Sequence, residues 1–326
     1  MKLMIKNFIL LILSIVISVL LIEILLRLTD NDDRFLTLNS DEPIIYVENK
    51  EIGWIQKKGK YKFPKWSNDG YETNFTVDFD GSRYSQINNI SNEMIIFLGG
   101  SLTQGWAVDN KESFVSLFQK QNPEYKIKNF AVGGYGTYQS LLMQERILGY
   151  KKNIKVIVYG FIDHHELRNV AAGSWMYLLN KFSSRGHVKV PYASINEFDK
   201  IEKHKAIEYI NLPFRKQSAL VAKIEKKIMK LKSNQREKDK FIISKKIIQL
   251  MKINSQKINS EFIVLMLDSN EESFNNYKKY FLKEKINFVK CNFPAGEVVK
   301  GEGHPNAKAH EFVANCFNNY FAKLPL

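Results

Sequence analysis

Ser101, His304 and Glu302 are the residues whose types and places support chemistry. Ser101 follows the apolar run Met94-Ile95-Ile96-Phe97-Leu98 and the pair Gly99-Gly100. A short apolar run bounded by glycines predicts a buried parallel strand, and the glycines let the chain turn sharply and approach other groups closely. The hydroxyl is thereby left at the carboxyl end of a strand, where open α/β sheets place their sites. A nucleophilic serine needs a base for its proton and donors where negative charge develops. His304 lies in Gly301-Glu302-Gly303-His304-Pro305-Asn306, just before an apolar-periodic terminal helix starting near Ala307. A strand-to-helix loop can aim that imidazole at the site, and Glu302 can hold it in the useful tautomer. A surface histidine in a glycine-rich turn has the same local sequence, so the residues alone leave both open. Donors are sought in Asn129-Phe130-Ala131-Val132-Gly133-Gly134-Tyr135-Gly136-Thr137, where a strand ends in closely spaced glycines. Backbone N–H groups in such a bend can face an anion, although an ordinary connection looks alike. A dinucleotide loop is disfavoured, because the glycine spacing is wrong for that fingerprint.

Taken together these stretches resemble the blocks of the SGNH/GDSL hydrolases. Gly99-Gly100-Ser101-Leu102 is similar to the Gly-Asp-Ser-Leu block, and Gly134, five residues after Asn129, matches the glycine of the second block. His304-Pro305-Asn306 matches the histidine of the last block, which commonly reads His-Pro-Asn. The resemblance covers roughly Met94 to Leu326. It implies a three-layer α/β/α fold with a mainly parallel, doubly wound, flavodoxin-like sheet. It also implies attack by Ser101 on an ester carbonyl with His304 as base, and an oxyanion hole from the N–H groups of Ser101 and Gly134. No cofactor is implied.

Three departures from the family pattern bear on the site. Gly100 stands where the family usually has Asp. The Asn side chain that the third block adds to the oxyanion hole is missing after the strand Val156–Gly160, where the chain reads Phe161-Ile162-Asp163-His164-His165-Glu166-Leu167-Arg168-Asn169. His165 is the expected replacement, since an imidazole N–H donates the same bond, and His164 is nearly as good a candidate. The usual Asp, three residues before the histidine, would be Gly301; Glu302, two before it, is expected to substitute. Asp163, His164, His165 and Glu166 are ligand-type residues. Adjacent residues rarely hold one ion, however, and no distant third ligand is identifiable, so no metal is expected. Arg168 either binds an anionic substrate group or pairs with Glu166.

The elements that must position these residues follow from periodicity. Candidate strands are Met94–Leu98, Ile127–Ala131, Val156–Gly160, Phe262–Leu267 and Ile286–Val289, separated by helical stretches such as Ser113–Gln121 and Tyr138–Gly149. Such alternation predicts a parallel sheet covered on both faces. The Lys-rich stretch 214–256 has apolar residues at helical spacing (Leu220, Ile224, Ile228, Leu231) and predicts two helices broken near Ser233-Asn234. Residues 30–93 predict a small β-rich extension, with Thr73–Phe79 alternating as a half-buried strand and Asp80-Gly81 as a hairpin turn. The division expected is 1–29, 30–93 and 94–326.

Phe8 to Ile22 is apolar apart from Ser14 and Ser18, and after Glu23 the run Ile24-Leu25-Leu26 continues to Arg27. That is about enough to span a bilayer. Lys2 and Lys6 precede it and Asp30, Asp32 and Asp33 follow, which favours a cytoplasmic amino terminus and a periplasmic or extracellular body. The core is long for a cleaved signal peptide, and no small-x-small cleavage site follows it. Single-span members of the resembled family often end their span in a Glu…Arg pattern like Glu23…Arg27. The two cysteines, Cys291 and Cys316, lie in apolar surroundings and are expected as unpaired structural thiols. The net charge of +14 suits acidic polymers or anionic lipids at a surface; nucleic acid is not the expected partner. The partners expected are the membrane, through the first helix, and an ester-bearing envelope glycan or lipid. The expected activity is ester hydrolysis or O-acyl transfer, against the alternative of a non-catalytic envelope binding or assembly protein on the same fold.

Overall fold

In the computed structural model the described residues are 2–29, 33–34, 42–85, 91–182 and 188–325; Asp30 and Asp32 lie outside them. Along the chain come α1 (Lys2–Leu28), β1 (Tyr46–Asn49), β2 (Gly53–Gln56), β3 (Gly59–Phe63), β4 (Thr73–Val77), β5 (Met94–Gly99), α2 (Ser101–Gln104) and α3 (Phe114–Gln121). Then follow β6 (Lys126–Asn129), α4 (Thr137–Leu148), β7 (Ile154–Ile162), α5 (His165–Asn169), α6 (Gly173–Phe182), β8 (Lys189–Ile195) and β9 (Ile201–Glu208). The last are α7 (Ala219–Glu237), α8 (Lys240–Gln256), β10 (Glu261–Asp268), α9 (Glu271–Lys283), β11 (Asn287–Lys290) and α10 (Ala307–Phe321). Two compact units divide them: Met1–Asn39 with Ala172–Val188 and Glu208–Gln235, and Ser40–Ala171 with Lys189–Ile207 and Arg236–Leu326.

The larger unit is built on a five-stranded sheet in the order β11-β10-β7-β5-β6, parallel throughout. Read by order of appearance this is the flavodoxin-like 2-1-3-4-5 pattern, whose switch point falls between the first and third strands. Here that gap lies between β5 and β7, where Gly99 pairs with Gly160. Strand alternation divides the core. Ile95, Phe97, Val156, Val158, Ile263 and Leu265 pack with Phe114 and Phe118 of α3 and Val313, Phe317 and Phe321 of α10. Their neighbours Ile96, Leu98, Ile157, Val264 and Met266 are equally buried, and α4 and α8 lie against the sheet from that side. Covered on both faces, the strands read as continuous apolar runs.

The two-stranded pairs β1–β2 and β3–β4 belong to the same unit as the sheet. Past β4 the chain turns at Asp78–Ser82, and Arg83 bridges both Val77 and Asn129. Two expectations are corrected. The cysteines are not free thiols: Cys291, just after β11, is disulfide-bonded to Cys316 in α10. Helical packing across 25 residues brings them together, a proximity that local apolar surroundings do not reveal. The break in the Lys-rich stretch comes at Lys238-Asp239 rather than at Ser233-Asn234. Ser233 is buried inside α7 and returns its hydroxyl to the Lys230 carbonyl at 3.0 Å, so it continues the helix.

In the smaller unit, Leu3–Leu28 of α1 is long and apolar enough to cross a membrane, a property that spans and signal sequences share. Glu23 is its one acid. The carboxylate accepts the Ala219 and Leu220 N–H groups at 2.9 Å and the Ser218 hydroxyl at 2.8 Å, and Arg27 Nε lies 2.6 Å away. The first turn of α7 leaves its N–H groups without intrahelical partners, and Glu23 supplies them. Asp33 similarly meets Lys226 at 2.6 Å and Lys223 at 3.4 Å.

Candidate active site

Ser101 is the first residue of α2 and 9 % exposed. Its backbone N–H heads a helical turn and so has no partner within that turn. The loop behind it is tied down by Arg83, a buried residue whose guanidinium donates to the carbonyls of Gln104 (2.7 Å), Gly105 and Val108 (2.6 Å). Arg83 also lies 4.3 Å from the centre of the Phe75 ring. Burial lowers its pKa to about 9, which leaves it charged at neutral pH. Asn129 adds a bond from Nδ2 to the Thr103 carbonyl at 2.9 Å.

His304 and Glu302 meet Ser101 in a linear chain. His304 Nε2 is 2.9 Å from Ser101 Oγ, and His304 Nδ1 is 2.7 Å from Glu302 Oε1. The second Glu302 oxygen accepts the backbone N–H of His304 at 2.7 Å. The loop is held by Val299 N–H donating to the His304 carbonyl (2.8 Å), and by Asn306, which caps α10 through Ala309 N–H (3.0 Å). Gly301 has φ +83°, and a Cβ there would lie 2.2 Å from the Trp66 carbonyl oxygen. The position of the usual Asp is therefore closed to any side chain, and the acid sits one residue later.

The glycine bend 133–136 is braced by residues from β1 and β2. Trp54 Nε1 donates to the Gly133 carbonyl at 2.9 Å, Tyr135 donates to the Trp54 carbonyl, and Tyr46 donates to Gln104 Oε1 at 3.2 Å. Gly134 adopts φ +83° within this bend.

The pair His164-His165 separates cleanly. His164 is exposed, whereas His165 is 1 % exposed. His165 Nδ1 lies 2.7 Å from Tyr159 Oη, and its Nε2 is buried with no hydrogen-bond partner among the described residues. A Cβ at Gly100 would stand 2.9 Å from that Nε2, 3.0 Å from Arg168 Nη1 and 3.1 Å from the Tyr135 carbonyl. Absence of a side chain at residue 100 thus lets His165 and Arg168 approach the backbone beside Ser101. Burial first, then the nearby charge of Arg168, holds His165 well below the ordinary histidine range, so it is neutral. Arg168 Nη1 donates to the Tyr135 carbonyl at 2.9 Å, and burial lowers its pKa to about 10.

The remaining acids of this stretch have structural tasks. Asp163 accepts from Asn270 N–H (3.0 Å) and from the Ser273 hydroxyl (2.7 Å) at the start of α9. Glu166 accepts the Tyr277 hydroxyl at 3.0 Å. Among the described residues no group of three His, Cys, Asp or Glu is placed to hold a metal ion.

Four residues at this site lie outside the sequence-based candidates: Arg83, Tyr159, Thr137 and Asn169. Arg83 sits alone in a turn. Tyr159 interrupts an otherwise aliphatic strand run, and that polar atom at a buried position is the one signal that marks it.

No family model and no curated protein matches the chain. Solved structures similar to it include a lipolytic protein of the G-D-S-L family from Veillonella parvula, at 11 % identity over 71 % of this chain and all of that one, TM-score 0.42. An acetyl xylan esterase from Butyrivibrio proteoclasticus is 13 % identical over 78 % of this chain and 67 % of its own, TM-score 0.40. A carbohydrate acetylesterase from Sinorhizobium meliloti is 9 % identical over 71 % and 98 %, TM-score 0.38.

Proposed function

We propose that the chain is a serine esterase that cleaves or transfers an acyl group through an acyl-enzyme on Ser101. The observation that carries this is the chain Ser101 Oγ, His304 Nε2, His304 Nδ1 and Glu302 Oε1, with separations of 2.9 and 2.7 Å. With Nδ1–H donated to Glu302, Nε2 of His304 is the lone-pair nitrogen facing the hydroxyl. Ser101 Oγ attacks the ester carbonyl as His304 takes its proton. The carbonyl oxygen becomes an oxyanion facing the N–H groups of Ser101 and Gly134 and the imidazole of His165. Collapse expels the alcohol, which takes the proton from His304 and leaves an acyl group on Ser101. Water, or the hydroxyl of a sugar, then accepts that acyl group with His304 again as base; water gives hydrolysis and a sugar gives transfer. Each oxyanion donor is worth about 10²–10³-fold in rate.

The substrate in this proposal is an acyl or acetyl ester on an envelope glycan or lipid, outside the cytoplasmic membrane. Supporting this are the apolar α1, with Lys2 and Lys6 in its first turns ahead of the apolar run Phe8–Ile22, and the Cys291–Cys316 disulfide. Disulfides persist in oxidising compartments and are rare in the cytosol. The test is turnover of aryl acetates, and labelling by a fluorophosphonate, in the full chain beside Ser101→Ala. Wild type is expected to turn over and to carry one adduct on Ser101, and the variant to do neither. Equal turnover in both ends the serine mechanism. A folded wild type without adduct favours a non-catalytic binding protein.

A further inference from the structure

We infer that Tyr159, Thr137 and Asn169 form a buried proton relay that fixes His165 in its Nε2–H tautomer, so that the imidazole presents a donor beside Ser101. This rests on the esterase proposal for what the donor serves, but the relay itself follows from hydrogen-bond accounting.

Asn169 sets the direction. Its Oδ1 accepts the Tyr138 backbone N–H at 2.8 Å, which identifies that atom as the amide oxygen and the other as nitrogen. Nδ2 then gives its two protons to Thr137 Oγ1 at 2.9 Å and Ser244 Oγ at 2.7 Å. Ser244 passes its own proton to the Lys240 carbonyl at 2.7 Å. Thr137 Oγ1 has two partners among the described residues, Asn169 and, at 2.9 Å, Tyr159 Oη. Having accepted from Asn169, it satisfies its own proton only by donating it to Tyr159. Two hydroxyls at this distance can exchange donor and acceptor roles, and Asn169 decides between them. The Tyr159 proton is then directed at His165 Nδ1, 2.7 Å away. A neutral imidazole that accepts at Nδ1 carries its single proton on Nε2.

That Nε2 is among the buried side-chain atoms without a hydrogen-bond partner in the described residues, and it lies over Gly100, next to Ser101. A buried polar atom without a partner is rare and calls for an explanation. Here it is a donor held ready for an acceptor that arrives with the substrate. In the reverse arrangement Nδ1–H would donate to Tyr159, the Thr137 proton would have no acceptor, and a lone pair on Nε2 would repel an oxyanion. The relay therefore does for histidine what a side-chain amide does by its constitution. Tyr159, Thr137 and Asn169 are positioning residues; His165 faces the reacting atoms.

The test uses full-length protein in detergent, with ¹⁵N-labelled histidine. The six histidines give a tractable imidazole spectrum, assigned at this position by its loss in His165→Asn. Wild type is expected to show His165 protonated at Nε2 alone. Tyr159→Phe removes the Nδ1 partner and Thr137→Val removes the relay's proton source. Each should introduce the Nδ1–H form and lower kcat by about 10-fold or more with KM little changed, while a merely structural role leaves the tautomer alone. In a His165→Asn background, where the donor needs no tautomer, Tyr159→Phe should cost no further activity. Thermal melting separates misfolded variants from informative ones. A wild-type His165 protonated at Nδ1, or an unaltered tautomer in folded Tyr159→Phe, overturns the inference. If the tautomer behaves as stated while wild type turns over no ester, the relay stands and the esterase proposal falls.

Discussion

Gly301 shows how a single backbone angle decides which position of a loop can carry a side chain. At φ +83° an L-residue pays roughly 1–2 kcal/mol for the left-handed conformation, and a Cβ would additionally press to 2.2 Å on the Trp66 carbonyl oxygen. Gly301→Asp would place an acid three residues before His304, where the SGNH/GDSL hydrolases that the sequence resembles usually have one. It is nonetheless expected to lower stability by about 2 kcal/mol or more, and to leave kcat no higher than wild type. Gly301→Ala should cost nearly the same, because the Cβ and not the carboxylate is at fault. Thermal melting of both variants with aryl-acetate kinetics checks this; an unstrained, faster Gly301→Asp would show that Glu302 is a poor substitute. At this scale the sequence is informative about atoms that stand next to glycines. Ser101, Glu302 and His304 advertise themselves by type and neighbours. Whether His164 or His165 turns inward is not legible, since adjacent residues differ only in the angle at which α5 starts. Arg83 and Asn169 escape notice because each is defined by what it meets, and those partners are distant in the chain.

Among the elements, the parallel strands are the most legible, because burial on both faces makes each a continuous apolar run. All five expected strands recur within a few residues of their expected ends. The pair of β8 and β9 is harder to read from sequence: β8 buries the neighbours Val190 and Pro191 as well as Ala193, out of step with a two-residue period, and β9 mixes half-buried and exposed residues without a buried one. The disulfide was likewise invisible, since Cys291 and Cys316 are brought together only when α10 folds back on the end of β11. That link has a measurable weight. Closing a loop across 25 residues stabilises a fold by about 3 kcal/mol on chain-entropy grounds. Reduction, or Cys316→Ser, is expected to lower the melting temperature accordingly. Because α10 begins two residues after the His304-Pro305 step, aryl-acetate turnover should be lost at a lower temperature as well. A reduced protein that melts and works like the oxidised one would show that packing of Phe317 and Phe321 alone holds the terminal helix.

For the molecule as a whole, pH acts through groups that folding removes from water. His310 is stacked on Phe114 and edge-on to Phe293, with Nδ1 accepting the Phe114 N–H at 3.2 Å. Burial first, then the charge of Arg83, lowers its pKa from 6.5 to about 3. His165 is lowered in the same direction. Above pH 6.5 neither the folded nor the unfolded chain protonates these rings, and they contribute no slope. Between 6.5 and about 3 the unfolded chain takes up protons that the folded chain refuses, so stability must fall as the pH falls. Each histidine contributes at most about 1.4 kcal/mol per pH unit. Asp80 extends the loss further into acid. Burial opposes its charge, but Ser82 and Lys151 outweigh it and hold the carboxyl at about 2, below the usual 3.8, so its contribution disappears as the pH drops through that window. The net charge of +14 adds self-repulsion at low pH, but equally in any variant that leaves the other charges alone. The difference between wild type and His310→Asn therefore isolates one ring. Unfolding free energies measured from pH 7 to 4 at constant ionic strength should fall less steeply in the variant, by up to about 1.4 kcal/mol per unit. Parallel curves would mean that His310 is protonated in the fold, and that the aromatic cage around it opens to water.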